Sequence, residues 1–596
     1  MSFRKYWLIL LFVLCFARPI ARAAAESVAE HKEARENLGA SWLAKDLEQR
    51  LRGFFAHDFL VQKLLDKIFI RSQPAPPYTV MPKSFLLHKG KTITNITLHK
   101  HGRASSQGIW WQAMLHKITP TTKDWVIWEQ LPFAVGDRLA PQQLLQGEKN
   151  LDKLPFIGHT KIEVKACADN NDVVDVHVTT QDRFPITVGL ASVGLGASLG
   201  YNNLLGWGHS LQGQLLYQQG LGYGSTYRAP NIRSSGVTSE GQYLYTPKKT
   251  TCCLRAFRKF DGQADYAGGV TLGYKKQSKE RLLDGHMHPK PSTWSLYHWD
   301  SWLGKALGSS KKAGQGQFFA TGRVSQQYFK QRPLVARNQN RYFHRYVFGV
   351  GSLGFANKRQ YEDQRIYGIG DQECIPYGSK INLTGGYQFG EWFNRPYLRL
   401  DLVQGWRKPS LGHWYGVVSV GTFWHAKAME QSIVKLHLNH FTPLLRLGKQ
   451  WLRQFINLSY LGGFNLFTGE CISTNTNKAP SALKDPFPGG TQRFQLGLET
   501  VVFMPVRFAG CQVAALGFVE AVRLQDAQGK VRQQSFCKAL GLGLRCAHAR
   551  WRLGTLQVKV SYQPLVQGIG LELGNVTHPF SDLNVDAPGT IPFQGY

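Results

Sequence analysis

The chain has 596 residues, which is enough for more than one domain, and its formal net charge is +32. Charged residues account for 18% of it, below the roughly 25% of ordinary globular chains, whereas aromatic residues account for 12% and glycine is abundant. Lysine and arginine are spread along the whole chain without a nucleic-acid motif, so we expect no nucleic-acid partner. The positive charge fits basic loops and a basic pore near anionic lipid, or it is a compositional bias without local meaning.

The N-terminus predicts export. An apolar run, Leu8–Ala17, follows two basic residues and is too short to span a bilayer as a helix. Small residues within 21–25 offer cleavage sites, so we expect a signal peptide over residues 1–25. Acylation at Cys15 is disfavoured, because Phe12–Leu14 lacks the small residue that a lipoprotein signal needs before its cysteine. Elsewhere no apolar stretch is long enough for a helical membrane span.

The next segment, residues 26–83, is predicted to be helical and to end in a linker. Leu43, Leu47, Leu51 and Phe54 recur three or four positions apart, which is typical of an amphipathic helix. A proline cluster then stops the helix. The apolar stripe would pack on the neighbouring domain, or dock on a partner or the membrane surface.

Residues 84–184 are predicted to form a small α+β domain. Thr92–Leu98 alternates like a strand, and Pro141–Leu154 has the pattern of a helix with proline in its first turn. Two further strands, His159–Lys165 and Val173–Thr180, follow with a turn-forming sequence between them. The predicted order is therefore strand, helical region, helix, strand, strand.

From residue 185 to 596 the pattern changes to a two-residue repeat. In Leu556–Gln563, apolar and polar residues alternate, and successive side chains of a strand point to opposite faces. A soluble β-sandwich also alternates, but continuous repetition over this length favours a transmembrane antiparallel β-barrel with lipid outside and water inside. At roughly 25 residues per strand and loop, the segment holds about 16 strands. The predicted fold class is therefore mainly β.

Motifs for catalysis or metal binding were not found. The cysteines beyond the signal peptide are irregularly spaced and contain no C-x-x-C pair, so we expect single packed thiols and no zinc. The sequence has no G-x-S-x-G or H-E-x-x-H motif. We therefore expect no enzyme activity, no catalytic residue, no metal and no cofactor.

Several segments together resemble the superfamily of outer-membrane assembly factors typified by BamA and TamA, the bacterial surface antigen proteins. The order of elements in residues 84–184 resembles a POTRA (polypeptide-transport-associated) domain. Tyr201–Ser210 (YNNLLGWGHS) is similar to the N-x-x-G-x-G hairpin at the start of the family's barrel. Gly490–Pro505 resembles the strand after its long sixth extracellular loop, and Gly368–Gly378 (GIGDQECIPYG) resembles a signature of an uncharacterised branch.

The sequence departs from the family pattern at three places. The loop of residues 471–489 lacks the V-R-G-[FY] tetrad, for which Arg493 is a weak substitute, and Glu520 stands where the family commonly has aspartate. Phe580 is expected to close the last strand, with a tail running on to Tyr596. The resemblance thus implies the barrel but not the family's loop mechanism.

The resemblance implies assembly, insertion or translocation of other polypeptides at the bacterial outer membrane, with the POTRA-like domain in the periplasm. Partners would be outer-membrane lipids, unfolded outer-membrane or secreted polypeptides, and periplasmic accessory proteins. The alternative is a channel or a lipid or solute transport barrel without insertase activity.

Two sets of residues are candidates for function. A client could add to an exposed strand edge through its main chain, and the candidate strand carries His159, Lys161, Glu163 and Lys165. Arg493 and Glu499 are candidates for an ion pair inside the lumen, although inward polar residues are expected of any water-filled barrel.

Overall fold

The computed structural model describes residues 83–101, 120–152, 154–167, 172–183, 185–190, 195–217, 220–232, 235–260, 265–282, 290–307, 316–337, 341–369, 372–448, 450–467, 490–508, 511–525, 536–548, 555–564, 568–576, 580–585 and 589. The predicted signal peptide and nearly all of the predicted helical segment that follows it lie outside the described residues. All described residues belong to one compact unit, which begins at Ser72. Among them, no α-helix has the length and apolarity needed to cross a bilayer.

The domain before the barrel has a three-stranded sheet. Its elements are α1 (Lys83–Leu87), β1 (Thr92–His101), α2 (Asp124–Trp128), α3 (Pro141–Asp152), β2 (Ile157–Ala166) and β3 (Val173–Asp182). The strand order is β1-β3-β2, with β1 parallel and β2 antiparallel to β3. Parallel strands need a crossover, and the chain between β1 and β3 provides it with α2 and α3. The predicted order of elements is confirmed, whereas its identity as a POTRA domain stays a prediction.

This domain has its own apolar core. Leu144 and Leu151 on α3 pack with Val174, Val176 and Val178 of β3, and each of these five side chains is at most 1% exposed. The β3 valines alternate with less buried residues, so one face of the sheet carries the core. The domain therefore presents its other face and its strand edges as a rigid surface.

The remaining strands form one closed barrel. They are β4 (Ile186–Leu190), β5 (Leu195–Leu204), β6 (His209–Tyr217), β7 (Leu221–Ala229), β8 (Thr238–Thr246), β9 (Lys249–Arg258), β10 (Tyr266–Leu282), β11 (Lys290–Leu307), β12 (Gln317–Gln331), β13 (Tyr346–Gln364), β14 (Gln372–Gly390), β15 (Asn394–Lys408), β16 (Gly412–His425), β17 (Ala428–Phe441), β18 (Leu445–Leu447), β19 (Gln450–Phe464), β20 (Gln492–Phe508), β21 (Cys511–Gln525), β22 (Phe536–His548), β23 (Leu556–Gln563) and β24 (Gly568–Asn575). A short 3₁₀ turn at Arg341–Phe343 precedes β13.

The predicted count of about 16 strands is not confirmed. The described residues form 21 barrel strands, and β18 is a three-residue extension that pairs with the beginning of β19 while β17 pairs with β19 directly. Setting β18 aside leaves 20 wall strands, an even number, as in bacterial single-chain barrels. The predicted number of strands was too low because β4 to β9 have at most ten residues each and are joined by short connections, so each uses fewer than the assumed number of residues.

The two-residue repeat has the predicted structural meaning. In β23, Val558, Val560 and Tyr562 point outward and are 37–47% exposed, whereas Lys559 and Ser561 point inward and are buried. Exposed leucine, tyrosine and other large apolar side chains recur on the outer face of the other barrel strands. An apolar outer band on a closed sheet is the surface that a hydrocarbon environment requires, so this is an outer-membrane-type barrel.

The first and last strands close the barrel over a short distance. The closing strand β4 has five residues and β24 has eight, so their seam can hold at most five residue pairs. By contrast, β13 and β14 are paired along all nineteen residues of each strand. Among the described residues, the seam therefore has far less main-chain pairing than the long strands, as does the adjoining pair of β4 and β5 with its five residue pairs.

The turn between β5 and β6 attaches the barrel to the preceding domain. Asn203, near the end of β5 and next to this turn, donates a hydrogen bond to Thr122 and accepts one from the Gly208 N–H at 2.8 Å. Thr122 donates its N–H and its hydroxyl to the Asp182 carboxylate at 2.9 and 2.7 Å. The N-x-x-G-x-G segment therefore contacts the preceding domain, and buried hydrogen bonds hold the hairpin of β5 and β6 against the end of β3.

Candidate functional site

The hairpin of β13 and β14 bends into the barrel. In the described residues, β13 pairs with β12 as far as Ala356, and β14 pairs with β15 from Gly378 onward. Beyond these points the two strands continue to pair with each other, from Lys358↔Gly378 to Gln364↔Gln372. We call residues 358–378 the inner hairpin.

Gly378 makes this bend sterically possible. Its φ is +126°, a backbone conformation that glycine adopts readily and other residues rarely do. A Cβ atom at this position would overlap the carbonyl oxygen of Asn357 on the paired strand. Glycine is therefore required where the inner hairpin leaves the wall.

A buried glutamate holds the tip of the inner hairpin. The Glu373 carboxylate, 7% exposed, accepts hydrogen bonds from the N–H groups of Ile366 at 2.9 Å, Tyr367 at 3.0 Å and Gly368 at 3.0 Å. Hydrogen bonds to a charged acceptor are stronger than neutral ones, and here they satisfy three main-chain donors of the turn. The signature segment Gly368–Gly378 thus corresponds to the tip and the returning strand of this hairpin.

The inner hairpin reaches the opposite wall. Arg453 of β19, with a fully buried side chain, donates to the Gln364 carbonyl at 2.9 Å and lies 3.3 Å from the Asp363 carboxylate. Arg545 of β22 donates to the Ile366 carbonyl at 3.4 Å. The hairpin therefore crosses the interior from β13 and β14 to β19 and β22.

The segment after β24 also enters the barrel. The Phe580 ring packs against Tyr415, Phe441 and His413, with centroid distances of 5.1, 6.2 and 5.3 Å. It also lies 5.9 Å from Tyr367 at the tip of the inner hairpin. The expectation that Phe580 closes the last strand is wrong, because β24 ends at Asn575 and the aromatic ring is buried among interior side chains instead.

Three lysines, two on the inner wall and one at the start of the inner hairpin, hold the C-terminal segment. By this name we mean residues 580–585 and 589. Lys380 donates to the Asp582 carbonyl at 3.0 Å and to the Asn584 carbonyl, and Lys358 donates to the Asn584 side-chain oxygen at 2.7 Å. Lys435 lies 3.4 Å from the Asp582 carboxylate. The segment is thus bound through its main chain and through one acidic side chain.

Two arginines bind the segment further along. Arg399 donates to the Gly589 carbonyl at 2.9 Å and to the Asp401 carboxylate at 2.7 Å. Gly589 also lies against the Arg323 guanidinium, which pairs with Asp300. The C-terminal segment therefore runs along inner-wall cations from β12 to β17.

An apolar core fills the space between these two segments and the wall. Its buried members are Tyr361, Ile366, Ile369 and Ile375 of the inner hairpin, Phe580 and Leu583 of the C-terminal segment, and Val403, Tyr415, Val417, Phe441, Phe455, Val501, Phe503, Ala514, Leu516 and Phe518 of the wall from β15 to β21. The expected water-lined interior is therefore wrong for this part of the barrel. Alternation of apolar and polar residues distinguishes the inner from the outer face of a strand. It does not predict that the inner-face side chains pack against the inner hairpin and the C-terminal segment.

Glu499 and Arg493 lie on the same strand, and their even separation places them on one face. The cations in contact with the Glu499 carboxylate are Arg545 and Lys559, the latter at 2.8 Å. Lys559 is also 4.0 Å from Glu520. Arg493 lies six positions from Glu499, roughly 20 Å along an extended strand, so the acid is neutralised by neighbouring strands instead of by this arginine.

The candidate client strand is β2, an edge strand of the domain before the barrel. It pairs with β3, and in the described residues no strand lies on its other side. His159, Lys161 and Lys165 are exposed, and Glu163 is partly exposed. Lys161 contacts Glu163 at 2.5 Å, and this contact lowers the pKa of the Glu163 carboxyl. The strand thus offers a solvent-exposed polar face beside a backbone edge that has no partner strand among the described residues, although Glu148 of α3 accepts a hydrogen bond from the Ile162 N–H.

Sequence reasoning missed the inner hairpin, the C-terminal segment and the cations that hold them. Strand length does not single them out, because β13 and β14 have nineteen residues each while β11 has eighteen and β10 and β20 have seventeen, all well above an ordinary transmembrane β-strand. Alternation continues through such strands, so their excess length is visible only once both ends of the hairpin are known.

Comparisons with known proteins concern the fold. No protein-family model matches the sequence, and the comparison with curated proteins gave no match. Among solved structures, the chain is similar to BamA from Haemophilus ducreyi lacking POTRA domains 1–3, with 11% identity and a TM-score of 0.39 over 81% of this chain and 83% of that one. It is also similar to CdiB from Acinetobacter baumannii, with 11% identity and a TM-score of 0.39 over 91% of this chain and 99% of that one. For CdiB from Escherichia coli, the identity is 10% and the TM-score 0.39, over 91% of this chain and 98% of that one.

Proposed function

We propose that this outer-membrane-type barrel inserts or translocates other polypeptides at the bacterial outer membrane, with the domain of β1 to β3 as a POTRA-like domain in the periplasm. The observation that carries the proposal is that β2 has no partner strand on its outer side among the described residues, in a domain hydrogen-bonded to the hairpin of β5 and β6. An extended client adds to such an edge by main-chain hydrogen bonds, which recognise conformation more than sequence. This role needs no catalytic residue, cofactor or metal.

The barrel seam supplies the second element of the proposed mechanism. Because β4 and β24 can share at most five residue pairs, separating them costs fewer hydrogen bonds than separating longer neighbours. A client strand held at β2 would then pair with an exposed barrel edge, or pass through the interior after the inner segments move. The partners are unfolded outer-membrane or secreted polypeptides, outer-membrane lipids and periplasmic accessory proteins.

Site-specific photocrosslinking in cells tests the proposal. We expect probes at His159 and Lys165 on β2 to capture unfolded outer-membrane polypeptides, whereas a probe at the exposed Gln142 on α3 captures none. Depletion of the protein should lower the levels of the captured polypeptides in the outer membrane. Normal levels of every other outer-membrane protein after depletion would overturn the proposal.

A channel or a lipid or solute transport barrel is the second candidate. The observation that favours it is the group of cations in the barrel interior, including Lys358, Lys380 and Lys435, since a basic interior attracts anions. A stable, large and anion-selective conductance of the full chain in planar bilayers, together with unchanged outer-membrane protein levels after depletion, would support this candidate over the first.

A further inference from the structure

We propose that the inner-wall cations of β12 to β17 form a binding groove for an acidic peptide segment with an aromatic anchor, and that the C-terminal segment occupies this groove as an internal ligand. The inference rests on the proposed function, because the competing ligand would be a segment of a polypeptide client. It adds the chemistry of the client segment and its place of binding inside the barrel.

The first argument is how the C-terminal segment is held. Lys380 donates to two carbonyl groups two positions apart, those of Asp582 and Asn584, which any peptide would present. Lys435 instead forms an ion pair with the carboxylate of Asp582. Main-chain recognition with one charge-selective contact gives a site that accepts different sequences of one chemical class.

The second argument is the apolar end of the groove. Phe580, 5% exposed, lies two residues before Asp582 and is surrounded by Tyr415, Phe441 and His413. Aromatic rings gain about 0.5–1.5 kcal/mol per favourable ring pair beyond the area that they bury. An aromatic residue followed two positions later by an acid is therefore the pattern that the groove fits.

The third argument is the charge left when the segment leaves. Asp582 is the acid that the described residues place against Lys435, whose side chain is 30% exposed. The cations further along have their own acids, Asp401 for Arg399 and Asp300 for Arg323, and those ion pairs do not depend on the segment. Withdrawal of the segment would thus separate Lys435 from the Asp582 carboxylate, and an acidic ligand would restore an ion pair there.

The C-terminal segment is covalently joined to the barrel that binds it, and this determines how the groove can be studied. A ligand joined to its own site has an effective concentration of the order of millimolar for a short flexible linker, so a free peptide competes poorly with it. Free peptide should therefore bind to a chain whose segment is removed or weakened, and only poorly to the intact chain. In the cell, a client concentrated on β2 would have the same advantage of proximity.

The experiment uses the purified barrel in lipid nanodiscs and a fluorescent peptide of residues 578–590. We expect the chain truncated after Pro579 to bind this peptide at least tenfold more tightly than the intact chain, and to lose that binding on Lys435→Glu. The matched control is Lys427→Glu in the exposed turn between β16 and β17, which should leave the affinity unchanged. A peptide carrying Asp582→Lys should bind at least tenfold more weakly than the natural one.

A second set of variants retains the full chain, in case truncation prevents folding. Asp582→Lys should admit the free peptide by placing two cations together, and Asp582→Lys combined with Lys435→Asp should exclude it again by restoring the ion pair. Equal binding to all full-length variants, or equal binding of natural and charge-reversed peptide, would overturn the groove. Binding of polyphosphate as tightly as the peptide would overturn the assignment to peptides.

The groove and the proposed function fail in different experiments. If the peptide does not bind but depletion lowers outer-membrane protein levels, the groove is wrong and the insertion proposal stands. If the peptide binds with the expected charge dependence but depletion changes no outer-membrane protein, the groove is supported and the insertion proposal is overturned.

Discussion

The side chains of Asn203 and Thr122 are 81 residues apart in the chain and hydrogen-bonded at 2.9 Å in the structure. Both are buried, with exposed fractions of 2% and 0%. Asn203 has a φ of +74°, a conformation in which asparagine is several-fold enriched among residues other than glycine. The contact therefore combines a backbone requirement of the barrel turn with a hydrogen-bond requirement of the neighbouring domain.

We expect Thr122→Val to weaken the contact between the barrel and the domain before it. Valine keeps the shape of threonine but removes the hydroxyl that Asn203 and Asp182 share, so buried polar groups lose a partner. Such a loss typically costs about 1–3 kcal/mol per group. Hydrogen exchange at Lys123, whose N–H donates to the Gly206 carbonyl at 3.0 Å, should become faster. The control is Thr121→Val at the exposed neighbouring position, and equal exchange in both variants would contradict the prediction.

The sequence predicted this contact between the barrel and the preceding domain only in part. The resemblance of Tyr201–Ser210 to the N-x-x-G-x-G hairpin at the start of the family's barrel predicted a hairpin there. It gave no indication of Thr122, a single threonine whose importance arises from contact with residues far away in the chain. Local propensity identifies a turn, but the partner of a turn depends on the tertiary arrangement.

The same difference between local patterns and tertiary contacts explains why the barrel wall could be predicted and its interior could not. Alternation in segments such as Leu556–Gln563 is a local property, so the wall and its inner and outer faces could be predicted. The bend at Gly378 depends on where β13 and β14 stop pairing with β12 and β15, and the burial of Phe580 depends on contacts with distant strands. No local sequence pattern predicts either feature. Glu499 was selected as an inward acid, but its partners Arg545 and Lys559 come from strands that only the register brings together.

Substitution of Gly378 should release the inner hairpin or prevent folding of the barrel. We expect Gly378→Ala to be strongly destabilising, because the added Cβ overlaps the Asn357 carbonyl and the backbone has a positive φ. The matched control is Gly385→Ala on the same strand, where a Cβ meets no atom within 4 Å. The folded fraction in gels of unheated samples, together with single-channel conductance, would show the difference. Equal behaviour of the two variants would refute the bend as a glycine-dependent feature.

We expect Arg453→Met to increase the frequency of channel openings. The substitution keeps a similar apolar volume but removes the donor to the Gln364 carbonyl and the charge beside Asp363, so the hairpin tip is less firmly held. Loss of such hydrogen bonds corresponds to about 1–3 kcal/mol. The control is Arg446→Met at an exposed position close to β19. Planar-bilayer recordings should show added openings for the first variant and the wild-type pattern for the second.

The last prediction concerns the pH dependence of the domain before the barrel. Burial raises the pKa of Glu148 on α3, although the Ile162 N–H of β2 donates to its carboxyl and acts in the opposite direction. A carboxyl whose pKa is higher in the folded state binds protons more readily there. Its charged form therefore opposes folding, and this domain should lose stability as pH rises from near 4.5, the unfolded value, through the folded pKa.

Glu148→Gln removes this titration while keeping an oxygen that can accept the Ile162 hydrogen bond. We expect the variant to be more stable than the wild type at pH 7 and equal to it below pH 4.5, as measured by exchange of the Ile162 amide corrected for its intrinsic rate. Glu163→Gln is the contrasting variant, because contact with Lys161 lowers the pKa of that carboxyl. Its stabilising contribution is present above the unfolded pKa and is lost as pH falls through the folded one. A Glu148→Gln chain that follows the wild type at every pH would show that this carboxyl does not govern the pH response of the domain.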